Sequence, residues 1–455
     1  MKKSVSRRSV LAAGAAGMVL TNGVGRAFAQ AAGKNINVAI IGAGVQGRIL
    51  LRDALGIPGV RFVAACDIRK FSRDYAMGMI GKYNKRALGL PKEQQRPPVY
   101  DDFKALLADK KKLGLDAVVI ATPDCWHAPI TVAALEAGLH VYCEKEMAPT
   151  IEKSHGMVAA AKKSGKCCQI GHQRRSNPDY IETLKMIRET DLVGTIKTCY
   201  AQWNRRAGEK LTWTTPLPDA DLKKWGFDSM DHFMNWRWFK KYSAGPIADL
   251  GSHQIDIFDW FLDAHAAELQ ANGTDDYYKD RAWHENVQCL YKYHTPKGDA
   301  LAFYQVQNTN NFSNYFERFM GDKGTVIISE DRNSCYYVPQ PGVQPPKWMM
   351  DADKVQTIAF DSAGNPSSIL VDGYSLTSAF ENKGGAAAEA MKLRSTNNVH
   401  KLHLMNFFAS VAKDDPKLLN CPADIAYQTA VAVLSVQPAL ESGNKKKFTK
   451  ADFHV

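Results

Sequence analysis

The stretch from Asn35 to Asp67 restricts this chain more than any other. An apolar run, Asn35-Ile-Asn-Val-Ala-Ile-Ile41, leads into Gly42-Ala-Gly44-Val45-Gln46-Gly47, then an apolar helical segment, then Arg61-Phe-Val-Ala-Ala-Cys-Asp67. This order reads as a buried strand, a glycine turn, a helix and a second buried strand that ends in a carboxylate. The three glycines do different things. Gly42 permits a tight turn, Gly44 lets backbone approach a pyrophosphate, and Gly47 lets the helix lie close on the strand. The helix start aims free N–H groups and a positive dipole end at phosphates. Asp67 falls where an acidic side chain accepts hydrogen bonds from adenosine ribose hydroxyls. The unit therefore predicts dinucleotide binding. Asp67 would repel a 2′-phosphate and favours NAD, while Arg69 and Lys70 behind it keep NADP open.

The same alternation continues downstream. Helices are expected over 71–85, 102–108, 128–137 and 151–163, and buried strands over 116–121, 139–143 and 166–171. Apolar strands alternating with helices predict an α/β, doubly wound parallel sheet of the Rossmann type, covered on both faces. Ligands of such sheets lie beyond the carboxyl ends of the strands. Those ends carry Gly42, Gly44, Val45, Gln46 and Gly47, then Asp67 and Ile68, then Thr122, Pro123 and His127, then Glu144 and Lys145, and finally Gln173. All are candidate cofactor contacts. From about residue 178 the pattern changes to a helix, a strand near 194–205, a helix over 251–262 and alternating strand-like runs near 286–293, 300–307 and 324–329. Residues 339–384 read as loop, and 400–412 and 423–440 as closing helices. The expected division is a leader over 1–29, a nucleotide domain over 34–175, a substrate and oligomerisation domain over 176–399, and terminal helices over 400–455.

The formal charge of +11 needs dissection before it is read as a nucleic-acid signal. Lys2, Lys3, Arg7, Arg8 and Arg26 lie in the first 29 residues, which hold no acid, and the remainder carries +6 without basic blocks. A mildly basic solvated surface follows, with no nucleic-acid partner. Ser6-Arg7-Arg8-Ser9-Val10-Leu11, a weakly apolar stretch and Ala27-Phe28-Ala29 read as a twin-arginine export signal, which carries folded proteins to the periplasm. No later run is long enough to span a bilayer. The nine cysteines include no CxxC and no zinc spacing, so neither a metal nor a disulfide framework is expected, and Cys66, Cys143, Cys167 and Cys168 sit in apolar runs.

Two further groups carry chemistry. Glu144-Lys145 ends a buried strand in the crevice of the glycine turn, where a lysine orients a hydroxyl and shuttles its proton. Asp249-Leu-Gly-Ser-His253-Gln-Ile-Asp256 spaces Asp249, His253 and Asp256 at i, i+4 and i+7, on one face of a helix start that Asp249 is placed to cap. His253 titrates near neutrality, and a neighbouring carboxylate is expected to raise its basicity. Trp203, Trp213, Trp225, Trp236, Trp238 and Trp260, interleaved with Arg205, Arg206, Asn235, Arg237 and Tyr242, suit a polyhydroxylated ring. Most of these tryptophans are expected in the core, and Trp236-Arg237-Trp238 is the subset expected at substrate. Arg205, Trp236, Arg237, Tyr242 and Asp256 are the candidate substrate contacts.

Together the glycine turn, Cys143-Glu144-Lys145 and Asp249-x-Gly-x-His253-x-x-Asp256 resemble the Gfo/Idh/MocA oxidoreductases over nearly the whole chain after the leader. The resemblance implies a Rossmann domain followed by an α/β domain with an open, mostly antiparallel sheet that often forms a homo-oligomer contact. It implies Lys145, Asp249 and His253 as the catalytic set around a sugar hydroxyl. One position departs from the family pattern: proline, often in cis, usually follows Glu-Lys, and this chain has Glu146, which either re-aims Lys145 or adds a third carboxylate. The reading is an exported NAD(P)-dependent oxidoreductase of sugars with a bound, recycled cofactor. Its alternatives are a redox-neutral NAD-dependent glycosidase and a non-catalytic sugar-binding protein on the same scaffold.

Overall fold

The computed structural model describes residues 35–330, 336–344 and 398–455, together with the backbone of two strands within 355–371. The leader expected over 1–29 lies outside the described residues. Six parallel strands, β1 (Ile36–Ile41), β2 (Val60–Cys66), β3 (Val99–Tyr100), β4 (Ala117–Ile120), β5 (His140–Cys143) and β6 (Cys168–Ile170), form a sheet of order β3-β2-β1-β4-β5-β6. The expected Rossmann sheet is present. Strand β4 is buried at all four positions and β5 likewise, as a sheet covered on both faces requires. Helices α1 (Val45–Leu55), α2 (Lys70–Arg86), α3 (Phe103–Ala108), α4 (Asp124–Glu136) and α5 (Ile151–Ser164) supply the cover. The N-terminus of α4 lies four residues ahead of the expected start at 128, since the helix opens directly after Pro123 at its N-cap.

The second sheet has ten strands: β7 (Ile196–Asn204), β8 (Ala266–Thr274), β9 (Asn286–Thr295), β10 (Gly298–Gln307), β11 (Tyr315–Gly321), β12 (Gly324–Ile328), β13 (Tyr336–Pro339), β14 (Val355–Phe360), β15 (Pro366–Val371) and β16 (Lys446–Lys447). Its order is β14-β15-β13-β12-β11-β7-β10-β9-β8-β16, and only the β10–β7 pair is parallel. The expectation of loop over 339–384 is corrected here by β14 and β15, which pair with each other and join the sheet edge. Helices α6 (Pro178–Glu189) and α7 (Ser252–Leu262) pack on the inner face, and every residue of α7 except Trp260 is buried.

The closing helices are three, α8 (Val399–Lys413), α9 (Ala423–Leu434) and α10 (Val436–Ser442), since the helix expected over 423–440 is interrupted at Ser435. Leu404, Phe407 and Phe408 of α8 share a core with Val38 and Ile40 of β1. Helix α9 faces two ways. Its Ala426, Tyr427 and Ala430 join Met157 and Val158 of α5, while Ala432 and Val433 join the α7 core. One helix thus packs into the cores of both domains.

Candidate active site

The site starts at the glycine turn. Gly42 has φ +88°, and a Cβ there would lie 2.5 Å from the Ala121 carbonyl oxygen. A Cβ on Gly47 would collide with the Gly42 carbonyl, whereas one on Gly44 would meet nothing within 4 Å. Space is therefore kept open over Gly44, where α1 begins with no side-chain cap and no acidic residue in its first turn. Free N–H groups facing open space are what a pyrophosphate requires. Val45 is exposed, and Gln46 Nε2 donates to Glu144 Oε1 at 3.1 Å, tying the helix start to the end of β5. Asp67 accepts from the N–H of Ala43 and of Arg69, both at 2.8 Å, and each oxygen keeps a lone pair for a ribose hydroxyl. Burial pushes its carboxyl up, against the pull of those two N–H groups. Lys70 is paired with Asp74, and Arg69 points to Met234 Sδ. Ile68 packs partly against the Leu222–Phe227 cluster.

Lys145 follows β5 and reaches across to the second domain. Its Nζ donates to the Asp249 backbone carbonyl and lies 3.4 Å from Asp249 Oδ1. The Lys145–Glu146 peptide is cis. Of the two outcomes expected from Glu146, the structure shows the added carboxylate and a lysine still aimed at Asp249. Glu146 is 1 % exposed, accepts from the Met147 N–H at 2.7 Å and keeps Oε2 enclosed without a partner. Burial pushes its carboxyl up to about 7.

Asp249 was expected to cap α7, and it does not. Residues Ile247–Gly251 form a π-turn that runs into α7, and no side chain caps either start. The Asp249 carboxylate instead faces cations: Arg237 Nε donates to Oδ1 at 3.2 Å and an Arg205 nitrogen lies 3.6 Å from Oδ2. Burial raises its pKa, but Lys145, Arg237 and Arg205 outweigh burial and hold it well below the usual carboxylate range. Arg237 stacks on the Trp236 ring, 4.2 Å from its centroid.

The expectation that a carboxylate raises the basicity of His253 is overturned. Burial, then the charges of Lys145 and Arg174, push the His253 pKa well down, so the ring is neutral. Its Nδ1 is enclosed without a partner, whereas Nε2 is not enclosed. Asp256 does not serve it. That carboxylate is 1 % exposed, bonded by Arg175 Nε at 2.9 Å and by Thr429 Oγ1 at 3.0 Å, and is removed from the substrate set. Tyr242 leaves the set as well: it is 2 % exposed, stacked on Phe227, with its hydroxyl donating to Asp228 at 2.9 Å. His127 is corrected from cofactor contact to brace, since its ring nitrogens face the carbonyls of Glu146 at 2.6 Å and Thr122 at 2.9 Å. Burial pushes His127 down to about 4. Thr122 Oγ1 and Gln173 Oε1 are enclosed without partners, and Pro123 stands at the N-cap of α4.

Sequence reasoning missed two residues. Asp124, in the first turn of α4, is buried, and burial pushes its carboxyl up to about 8, with Arg237 and Lys145 opposing and Asp249 and Glu146 adding to the rise. It is a protonated acid at neutral pH. His172, at the end of β6, is buried with both ring nitrogens unpartnered and lies 6.4 Å from the His253 ring. Both follow strand ends of the parallel sheet, and that position was the available signal.

Comparisons with known proteins agree with this geometry. A model described as the oxidoreductase family with an NAD-binding Rossmann fold matches residues 36–172, and the GFO/IDH/MocA C-terminal domain model matches residues 181–327. A glycosyl hydrolase family 109 protein of Stenotrophomonas maltophilia is 31 % identical over 186 residues, which span 41 % of this chain and only 39 % of that relative. Aldose-aldose oxidoreductase from Caulobacter crescentus, solved with glycerol, superposes with a TM-score of 0.63 at 18 % identity, covering 91 % of this chain and all of that one. Levoglucosan dehydrogenase in complex with NADH gives 0.61 at 16 %, again over 91 % of this chain and 100 % of its own. The first family model ends just after β6 and the second begins within α6, and the open turn and strand-end lysine fall inside the first of them. This chain belongs to the Gfo/Idh/MocA oxidoreductase family, with that family's NAD-binding Rossmann fold.

Proposed function

We propose that this protein oxidises a hydroxyl of a sugar or glycoside at the crevice between Lys145, Asp249 and His253. One observation carries the reading: an anionic Asp249 holds the Lys145 ammonium beside a neutral, buried imidazole, at the strand ends that also carry the open turn over Gly44. When bound, the nicotinamide accepts hydride from the carbinol carbon. The chain's own work concerns the proton. Lys145 donates a hydrogen bond to the substrate oxygen and stabilises the charge that grows on it. His253 is neutral and has Nε2 accessible, so it accepts the hydroxyl proton. Trp236 and Arg237 flank the sugar.

The glycosyl hydrolase relative favours a second outcome at the same residues. Oxidation at C3 acidifies C2–H. Loss of that proton expels the C1 substituent, water adds at C1, and hydride returns to C3, so the sum is hydrolysis. Asp124 keeps its proton at neutral pH and is the kind of donor the leaving oxygen needs. Turnover of glycosides in deuterated water separates the outcomes. Deuterium at C2 of the released sugar without accumulated reduced cofactor marks the redox-neutral route, and reduced cofactor or a reduced second sugar marks net oxidoreduction. If no sugar changes the nicotinamide absorbance in single-turnover mixing, the oxidoreductase reading of this site is wrong.

Two further parts belong to the proposal. Arg7 and Arg8 direct export with the cofactor already bound, which predicts that changing both to lysine retains the protein in the cytoplasm. The outer face of the second sheet carries Leu290 and Leu301, both exposed, beside the stacked Tyr200 and Phe303, and this face joins copies of the chain. Leu301→Lys should then lower the sedimentation coefficient of the native protein.

A further inference from the structure

Asp249, Arg205 and Arg237 also line one side of an open cleft whose space, solvent at its mouth included, is about 530 Å³. Its far wall is built by Trp238, Arg281, Trp283, Glu285 and Asn308. The Arg281 guanidinium lies 4.2 Å from the Trp238 ring and 3.8 Å from the Tyr278 ring, and donates to the Gly208 carbonyl at 3.1 Å. Glu285 directs Oε1 to Thr274 Oγ1 and the Tyr277 N–H, both at 3.2 Å. Trp283, Glu285 and Asn308 are 8 %, 2 % and 4 % exposed.

Arg281 Nε lies 3.7 Å from Asp280 Oδ1. After these contacts three atoms of the wall are enclosed and have no partner: Trp283 Nε1, Glu285 Oε2 and Asn308 Oδ1. Buried polar groups in folded proteins are paired, and three unpaired ones around a cleft point to a ligand or water that pairs them. They are one donor and two acceptors. A carboxylate or phosphate offers acceptors only and leaves Glu285 and Asn308 unanswered, and a metal ion is repelled by Arg281. Sugar hydroxyls both donate and accept, and two indoles give the apolar surface on which pyranose C–H faces rest.

We propose that this cleft is a subsite for a second pyranose, linked to the one oxidised beside Lys145, so that the substrate is at least a disaccharide. The proposal rests on the reading of Lys145–Asp249 as the place where a sugar is oxidised. The test uses the NAD-loaded enzyme, with methyl monoglycosides paired against disaccharides that extend each of them from either end. Binding is read by tryptophan fluorescence and oxidation by nicotinamide absorbance. At least one disaccharide should bind roughly tenfold or more tightly than its methyl glycoside. Trp283→Phe and Glu285→Gln, each with a melting temperature like that of the parent, should erase most of that advantage. The proposal is overturned if no disaccharide outbinds its monoglycoside, or if the advantage survives both substitutions. If the advantage is present and no sugar alters the nicotinamide, the subsite stands and the oxidation reading fails.

Discussion

Asp249 is 21 % exposed and faces three cations, which are not equal. Arg205 and Arg237 are about half exposed (49 % and 52 %), so water screens their attraction, while Lys145 is 11 % exposed and dominates. Asp249→Asn should therefore leave NAD bound and lower kcat by roughly 10²-fold or more, the scale seen when a positioned electrostatic group is lost. Asp256 belongs to a different class. Its partner Arg175 is 10 % exposed, and removing one member of a buried pair strands the other. Asp256→Ala should cost about 3–5 kcal/mol of stability in denaturant unfolding, with KM for sugar unchanged in the surviving fraction. A KM effect without loss of stability would return Asp256 to the substrate set. The sequence spacing that grouped Asp249, His253 and Asp256 treated them as one helix start, whereas Asp249 lies in the π-turn before α7. It carried no information about what each side chain meets, and Arg175, 81 residues away along the chain, decides the role of Asp256.

At the scale of elements, the parallel sheet was legible because its strands are apolar on both faces and its turn needs glycine at fixed places. The second sheet was less so. Its strands alternate in places, as in β9, whereas β14 (VQTIAF) and β15 (PSSILV) show neither alternation nor a continuous apolar run and were read as loop. The π-turn before α7 had no sequence signal, yet it aims Asp249 at Lys145. Gly251 is where that turn meets the sheet: a Cβ there would lie 2.8 Å from Tyr304 Cε1 and 3.0 Å from Ile247 Cδ1. Gly251→Ala should lower kcat and the melting temperature together, the former because Asp249 moves with the turn. An unchanged kcat would show that the turn does not set the position of Asp249. In the far wall of the cleft Trp238 was expected at substrate, whereas Glu285 and Asn308 were not, since one precedes β9, the other follows β10, and only the fold brings them together.

The whole molecule buries titratable groups of both kinds, and their shifts predict how stability depends on pH. Burial pushes Asp124 and Asp259 up to about 8, Glu146 and Glu317 up to about 7, and Asp67 up as well. Their contribution is complete below the unfolded carboxylate pKa and is lost as pH rises through the folded values. Burial pushes His127, His140 and His172 down to about 4 and His403 to about 3, and His253 and His265 down as well. Their contribution is complete above the unfolded value of 6.5 and is lost as pH falls towards 4. Each group changes stability by about 1.4 kcal/mol per pH unit within its window. Among the described residues these six histidines outnumber the five carboxyls below pH 6.5, and the carboxyls act alone above it. The melting temperature should peak near pH 6.5 and fall on both sides; a steady rise to pH 8.5 would contradict the protonated state of Asp124 on which its donor role depends.

The central claim is that hydride leaves a sugar only when Lys145, held by Asp249, faces it beside His253. The most direct measurement is single-turnover nicotinamide absorbance of the NAD-loaded protein, mixed with a panel of sugars and glycosides, for the parent and for Lys145→Ala. The account predicts a transient or lasting reduction in the parent with at least one sugar. It predicts none in Lys145→Ala, with NAD still bound in both. Full reduction in Lys145→Ala would contradict it.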